Sequence, residues 1–325
     1  MDFRQRYNEY ALLVDKYLDG FIRENVPKTL YEPARYILAS RGKRIRPLLV
    51  LCTCESVGGR KEDALDAAAG IEILHNFTLV HDDIMDNAKA RRGRSTVHTK
   101  WDHNVAILAG DVLLGLAYRA LFRSASARIQ EIGKIFTEGV IEVCEGQAYD
   151  KEFEYRKRVS LDDYLLMVRK KTGAMVAAAT EIGALLGNSS NEERSALKTY
   201  GEIVGRAFQI QDDLLDVIAD EEKFGKAIGG DIVEGKKTFL LLTALARATG
   251  SDRRLLRQVV DGGLSGKNNV AKVRKVYYQT GAIAAAEEQI GRDIQEAKKQ
   301  IRVLKDSDSA RMLLWFADML LNRKS

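Results

Sequence analysis

The sequence is poor in proline, cysteine and histidine, and each scarcity excludes something. Its 325 residues contain three prolines, Pro27, Pro33 and Pro47, and none follows residue 47. Proline ordinarily makes up about 5% of residues and breaks helices from within, so the proline-free remainder permits long helices. The three cysteines, Cys52, Cys54 and Cys144, make no disulfide framework and suggest a reducing compartment. Cys52 and Cys54 are separated by one residue and no second pair exists, which argues against zinc. The four histidines all lie between residues 75 and 103, and His98 and His103 lack partners at zinc spacing. The N-terminus, Met1-Asp2-Phe3-Arg4-Gln5-Arg6, lacks the basic-then-apolar order of a signal peptide. No run reaches the roughly 18 apolar residues that span a bilayer. Val105 to Leu121 comes nearest, and Asp111 and Arg119 interrupt it. A soluble, cytoplasmic protein without a transmembrane segment is expected. Alternating strand patterns of useful length and low-complexity linkers are also lacking.

What is present is helical. The chain is 46% hydrophobic and 30% charged, with modest aromatic content and abundant Ala, Leu, Glu, Lys and Arg. Periodicity predicts helices over about 3–24, 29–40, 47–57, 62–86, 104–124, 127–149, 161–170, 173–187, 192–220, 237–249, 252–261, 269–303 and 308–322. Gly58-Gly59, Arg92-Gly93-Arg94-Ser95, Gly187 to Asn191, Gly229-Gly230 and Gly262-Gly263 mark the breaks. Ser251 and Asp252 are candidate caps, and Asp306 to Ser309 can start the last helix. The expected architecture is one all-α domain over residues 1–325, a helical bundle around a deep central cavity. The formal net charge is +5, but the cations are mostly interleaved with acids. That disfavours nucleic acid and leaves anionic membrane or phosphorylated small molecules.

Two copies of one acidic pattern stand out: Asp82-Asp83-Ile84-Met85-Asp86 and Asp212-Asp213-Leu214-Leu215-Asp216. On a helix, Asp82 and Asp86 share a face, as do Asp212 and Asp216. Clustered carboxylates repel each other unless a cation binds them. Magnesium prefers such oxygens and takes waters and substrate phosphates as its remaining ligands. Two clusters facing one another across a cavity would hold several magnesium ions around a diphosphate.

Further motifs follow in order. They are Gly42-Lys43-Arg44-Ile45-Arg46-Pro47, Arg91-Arg92-Gly93, Gly146-Gln147-Ala148-Tyr149-Asp150, Lys171-Thr172-Gly173, Phe208-Gln209-Ile210-Gln211, and a loop with Gly225-Lys226 and Lys236. From residue 42 to about 238 this ordered set resembles the trans-isoprenyl diphosphate synthases, also called polyprenyl synthetases. The chain length suits the whole family domain.

The resemblance implies a magnesium-dependent condensation. An allylic diphosphate ionises to a carbocation and pyrophosphate, the double bond of isopentenyl diphosphate attacks the cation, and the pyrophosphate takes the proton then lost. It assigns Asp82, Asp83, Asp86, Asp212, Asp213, Asp216 and Lys171 to catalysis, with Asp82, Asp86, Asp212 and Asp216 on the metal. Lys43, Arg46, His75 and Arg92 are assigned to isopentenyl diphosphate. Arg91, Lys171, Thr172, Gln209, Lys226 and Lys236 are assigned to the allylic diphosphate. Breaking a carbon–oxygen bond to release pyrophosphate needs this kind of cationic stabilisation. Pro47 suits a first helical turn, which would place Arg46 near open backbone amides. A homodimer or higher homo-oligomer is expected. Ala227 departs from the family, which often has proline there.

Leu74, Phe77 and Thr78 are the candidate chain-length residues. Phe77 sits about 7.5 Å back from Asp82 along an ideal helix axis. Geometry alone does not choose between Phe77 and Thr78. An aromatic at this place, with a compact first cluster, resembles archaeal-type geranylgeranyl diphosphate synthases. Farnesyl synthases, bifunctional farnesyl/geranylgeranyl synthases, terpene cyclases and non-catalytic prenyl synthase subunits are the alternatives. Cyclases usually lack a second intact cluster, and silent subunits tend to have lost aspartates that this chain keeps.

Overall fold

Local side-chain chemistry decides where several helices begin. The computed structural model describes residues 2–218, 229–262, 264 and 266–321. Asp2 caps α1 (Phe3–Asp19) by accepting from the amides of Arg4 and Gln5. Three helices follow: α2 (Lys28–Leu38), α3 (Ile45–Ser56) and α4 (Lys61–Met85). A two-residue turn joins β1 (Ala90–Arg91) to β2 (Arg94–Ser95), and α5 (Val97–Lys100) comes next. Asp102 caps α6 (His103–Leu121), and α7 spans Ile129–Tyr155. Ser160 and Asp163 form a reciprocal capping box for α8 (Leu161–Val168). The helix then widens into a π-turn, Arg169–Gly173, before α9 (Ala174–Leu186). Beyond it lie α10 (Asn191–Ile218), α11 (Gly230–Glu234), α12 (Phe239–Arg247) and α13 (Gly250–Val260). The chain closes with α14 (Lys267–Gln279), α15 (Ala282–Gln300) and α16 (Asp308–Leu321). The all-α expectation holds.

Several predicted boundaries move for identifiable reasons. The first helix ends at Asp19, with Gly20 as its C-cap. The helix expected over 269–303 is two helices, because Gly281 adopts a left-handed φ of 67°. The cap of α13 is Thr249, which makes no side-chain capping bond, so Ser251 and Asp252 lie inside the helix. The hairpin at 90–95 has no alternating pattern to betray it. Its turn residues Arg92 and Gly93 both take positive φ, 51° and 72°. That is the pairing a tight hairpin turn demands.

The chain divides into two compact units. The first gathers residues up to 138, 178–197 and 303–313, and the second 139–177, 198–302 and the C-terminal segment from 314. In the first, α4 packs along α6. A Cβ on Gly70 would stand 3.0 Å from the Ala117 carbonyl, so the two helices approach at small residues. Arg6 ties α1 to α3 through Glu55 at 2.7 Å. α6 is long and apolar enough by length and composition to cross a bilayer, so the expectation that no run reaches that length is corrected. It is 44% buried, carries Asp111 and Arg119, and packs one side along α4. In the second unit, Arg206 of α10 grips the buried Asp293 of α15 with two bonds, 2.6 and 2.9 Å. Breaking one side of such a pair strands a buried charge.

Candidate functional site

The first acid cluster closes α4. Asp82 is half-buried, Asp83 buried and Asp86 exposed as the C-cap, its amide bonded to the Asp82 carbonyl at 2.9 Å. The two outer acids therefore occupy successive turns, and the middle one turns inward. Asp83 accepts from Nε of Arg91 at 2.7 Å. Burial raises the pKa of Asp83, and the Arg91 charge works against that rise.

The cation motif places its members differently. Arg44 adopts a left-handed backbone and buries its guanidinium on Asp15 and Glu72. It anchors α3 and is unavailable to a ligand. Lys43 is exposed, and its carbonyl accepts from the Tyr7 hydroxyl. Arg46 lies in the first turn of α3, with Nη1 3.2 Å from His75 Nε2. Burial, and then the charges of Arg46, Arg92, Arg91 and Arg44, hold the His75 pKa well below its usual range. A neutral imidazole that accepts on Nε2 carries its proton on Nδ1, so Nδ1 is the only donor His75 can offer. Arg92 rides the hairpin turn, and Nη1 donates to the Ser40 carbonyl at 3.3 Å. Its guanidinium lies over Gly42, where a Cβ would come within 2.6 Å of Nη1. The glycine of the motif is thus the floor on which Arg92 rests. Arg94 is structural: it stacks 3.9 Å from the centre of the Tyr36 ring and holds the hairpin to α2.

The chain-length candidates lie below this cluster. Leu74 and Phe77 are buried, and the Thr78 hydroxyl bonds back to the His75 carbonyl at 2.8 Å. The Phe77 ring meets His81 edge-on at 4.8 Å. His81 in turn lodges against Gly110, where a Cβ would stand 2.2 Å from Nε2. That makes His81 a packing residue.

The second cluster, on α10, repeats the design. Asp212 and Asp216 are half-buried, and Asp213 between them is buried. Asp213 accepts from the Tyr164 hydroxyl at 2.6 Å and from Gln209 Nε2 at 2.9 Å. The Thr172 hydroxyl donates to Gln209 Oε1 at 2.9 Å. Asp216 accepts from the Asp231 amide at 3.0 Å, and its carbonyl from the Gly229 amide at 2.8 Å. Burial, and then the charge of Asp231, push Asp213 up to about 8 and Asp216 up to about 6. Burial also raises Asp231, with Lys236 opposing.

Lys236 Nζ lies 3.3 Å from Asp231 and 3.1 Å from Glu234. Burial works to lower its pKa, but the carboxylates outweigh burial and the ammonium is held above its ordinary range. Lys171 pairs with Asp150 of α7. Lys226 lies outside the described residues.

The donor chemistry suits magnesium. Each cluster offers carboxylate oxygens one helical turn apart, and in the second the acids raise one another's pKa values, a strain that a bound cation relieves. Among the described residues, no three His, Cys, Asp or Glu side chains converge on one metal position. An ion here would complete its shell with water and substrate oxygens, as magnesium does.

Sequence reasoning missed Asp231, Tyr164 and Gly205 of α10, where a Cβ would stand 2.7 Å from Cα of Gly173. Asp231 follows the Gly229-Gly230 pair and could have been flagged as an acid five residues before Lys236. Nothing local marks Tyr164, a tyrosine inside an apolar helix. Gly205 was one glycine among many.

Known proteins resemble this chain in sequence and in fold. A family profile described as polyprenyl synthetase matches residues 27–280. A short chain isoprenyl diphosphate synthase of Methanothermobacter thermautotrophicus is 40% identical over 325 residues, covering 100% of this chain and 98% of that protein. A geranylgeranyl diphosphate synthase of Methanosarcina mazei is 36% identical, covering 96% of this chain and 95% of its own length. The crystal structure of geranylgeranyl pyrophosphate synthetase from Pyrococcus horikoshii superposes with a TM-score of 0.94 at 38% identity, covering 99% and 98% of the two chains.

Proposed function

We propose that this chain, which belongs to the polyprenyl synthetase family, condenses isopentenyl diphosphate with allylic diphosphates and releases geranylgeranyl diphosphate. The observation that carries the reading is the common design of the two acid clusters. In each, the middle aspartate is buried on protein donors, while its neighbours lie one turn apart.

In this reading Asp82 with Asp86, and Asp212 with Asp216, are the metal ligands. Magnesium, when bound, neutralises diphosphate charge and stabilises the departing pyrophosphate. Arg91, Lys171 and Lys236, joined by Lys226, add fixed positive charge for the allylic diphosphate. Their pairing with Asp83, Asp150 and Asp231 keeps these cations in place before substrate arrives. Thr172 and Gln209 present polar groups near the developing carbocation. Lys43, Arg46 and Arg92 bind the diphosphate that does not ionise, and His75 adds its Nδ1–H. Phe77 stops the growing chain. A soluble, cytoplasmic homodimer completes the reading. The exposed Ile107 and Leu108 of α6, with Phe122 at its C-cap, offer an apolar face to a second copy.

The test is direct. The purified chain, with magnesium and isopentenyl diphosphate, is given dimethylallyl, geranyl or farnesyl diphosphate, and the products are separated by length. Geranylgeranyl diphosphate is expected from all three. No condensation from any primer would overturn the activity, and a farnesyl or longer main product would overturn the length assignment.

A further inference from the structure

Tyr164 is fully enclosed, at 1% exposure, and nothing in the reaction scheme uses it. Its ring packs edge-on against Phe239 at 6.3 Å, and its hydroxyl reaches Asp213 at 2.6 Å. Eight residues later Thr172 bonds to Gln209, and Gln209 bonds to Asp213 four residues along α10. The run from α8 into the π-turn is therefore stapled to α10 at two points, and the two staples meet on one carboxylate.

The π-turn explains how both staples reach the same helix. At about 100° per residue, eight residues of α-helix would leave Thr172 roughly 80° out of line with Tyr164. A π-turn takes up about one extra residue and rotates Thr172 back toward the Tyr164 face. Two glycines permit it. A Cβ on Gly146 would stand 2.2 Å from the Lys171 amide nitrogen, and one on Gly205 would stand 2.7 Å from Cα of Gly173. Both contacts are with backbone, which cannot step aside.

We propose that Tyr164 is a positioning residue for a divalent-cation site on α10. With Gln209, it holds Asp213 inward, so that Asp212 and Asp216 alone present their oxygens to the metal. This rests on the reading of the second cluster as a metal site. Without the hydroxyl, Asp213 has a single side-chain donor and turns toward the same cation, and the ligand set is mis-set. Donors that orient metal-binding carboxylates commonly matter 10–100-fold in affinity or activity.

The experiment titrates Mn2+, with inorganic pyrophosphate present, into the full chain and reads binding by electron paramagnetic resonance. Tyr164→Phe keeps the ring and removes only the hydroxyl. It is expected to weaken Mn2+ binding about tenfold or more, with the helical circular dichroism unchanged. In an Asp213→Asn background the same substitution should have no further effect. Wild-type affinity in folded Tyr164→Phe, or additive effects in the double variant, overturns the positioning role. Asp212→Ala separates the levels: if it leaves Mn2+ binding intact, the metal reading of the cluster itself falls. If Tyr164→Phe does not fold, Gln209→Met removes the other donor to Asp213 and is judged by the same outcomes.

Discussion

Phe77 sets its ring edge against His81, and His81 is wedged against the bare backbone of Gly110. Below the first acid cluster a chain of contacts thus passes from α4 to α6, and in the proposed reading it is the wall that the growing product meets. Phe77→Ala removes the ring and opens apolar volume, so products longer than geranylgeranyl are expected. Truncating a buried phenylalanine also costs about 3–5 kcal/mol, so the assay belongs below the unfolding temperature of the variant. Thr78→Phe should shorten the product. Chromatography of the products decides, and an unchanged distribution in both variants would assign the wall to other residues. His75 gives a second expectation at this scale. Its folded pKa is depressed, so the folded chain keeps it neutral while the unfolded chain protonates it below the ordinary value of about 6.5. The stability it contributes is present above that value and is lost as pH falls toward the folded pKa, by up to about 1.4 kcal/mol per pH unit. The surrounding charges, Arg46, Arg92, Arg91 and Arg44, do not titrate in this range. Urea unfolding from pH 7 to 5 should therefore show a shallower loss in His75→Gln than in the native chain, and parallel curves would rule the linkage out.

At the scale of elements, the legible part of the sequence was the part written in local chemistry. The acids, the cation motif and the long apolar periodicities are all visible, and the first cluster closes α4. What escaped depends on partners distant in sequence. Arg44 looks like any other cation of its motif, and only the fold shows it buried on Asp15 and Glu72. Tyr164 becomes informative only opposite Asp213. The hairpin at 90–95 is specified by two left-handed residues and not by a pattern. The π-turn is held by glycines from two other helices. A paired substitution checks that last point. Gly146→Ala drives a methyl into the Lys171 backbone and should destabilise by about 1–3 kcal/mol while lowering turnover. A methyl on Gly291, inside α15, would meet nothing within 4 Å. Gly291→Ala should instead stabilise, by up to about 1 kcal/mol, with turnover unchanged. Equal thermal shifts for the two would remove the packing argument for Gly146.

At the scale of the whole molecule, folding must hold many like charges together. The second cluster gathers Asp213, Asp216 and Asp231 with raised pKa values, and the carboxylates oppose one another in the folded chain. A ligand that binds only the folded chain and relieves this repulsion stabilises it by mass action, by about 2.7 kcal/mol at a hundredfold excess over its dissociation constant. If magnesium completes its shell with diphosphate oxygens, neither component alone captures the full effect. Magnesium lacks enough protein ligands, and pyrophosphate alone leaves the clustered carboxylates unneutralised. Thermal unfolding should therefore rise modestly with either one and by more than the sum of the two when both are present. Asp82→Ala and Asp212→Ala should each reduce that excess. Strictly additive shifts in the native chain would mean that metal and diphosphate bind independently, and the shared-shell account of the site would fail.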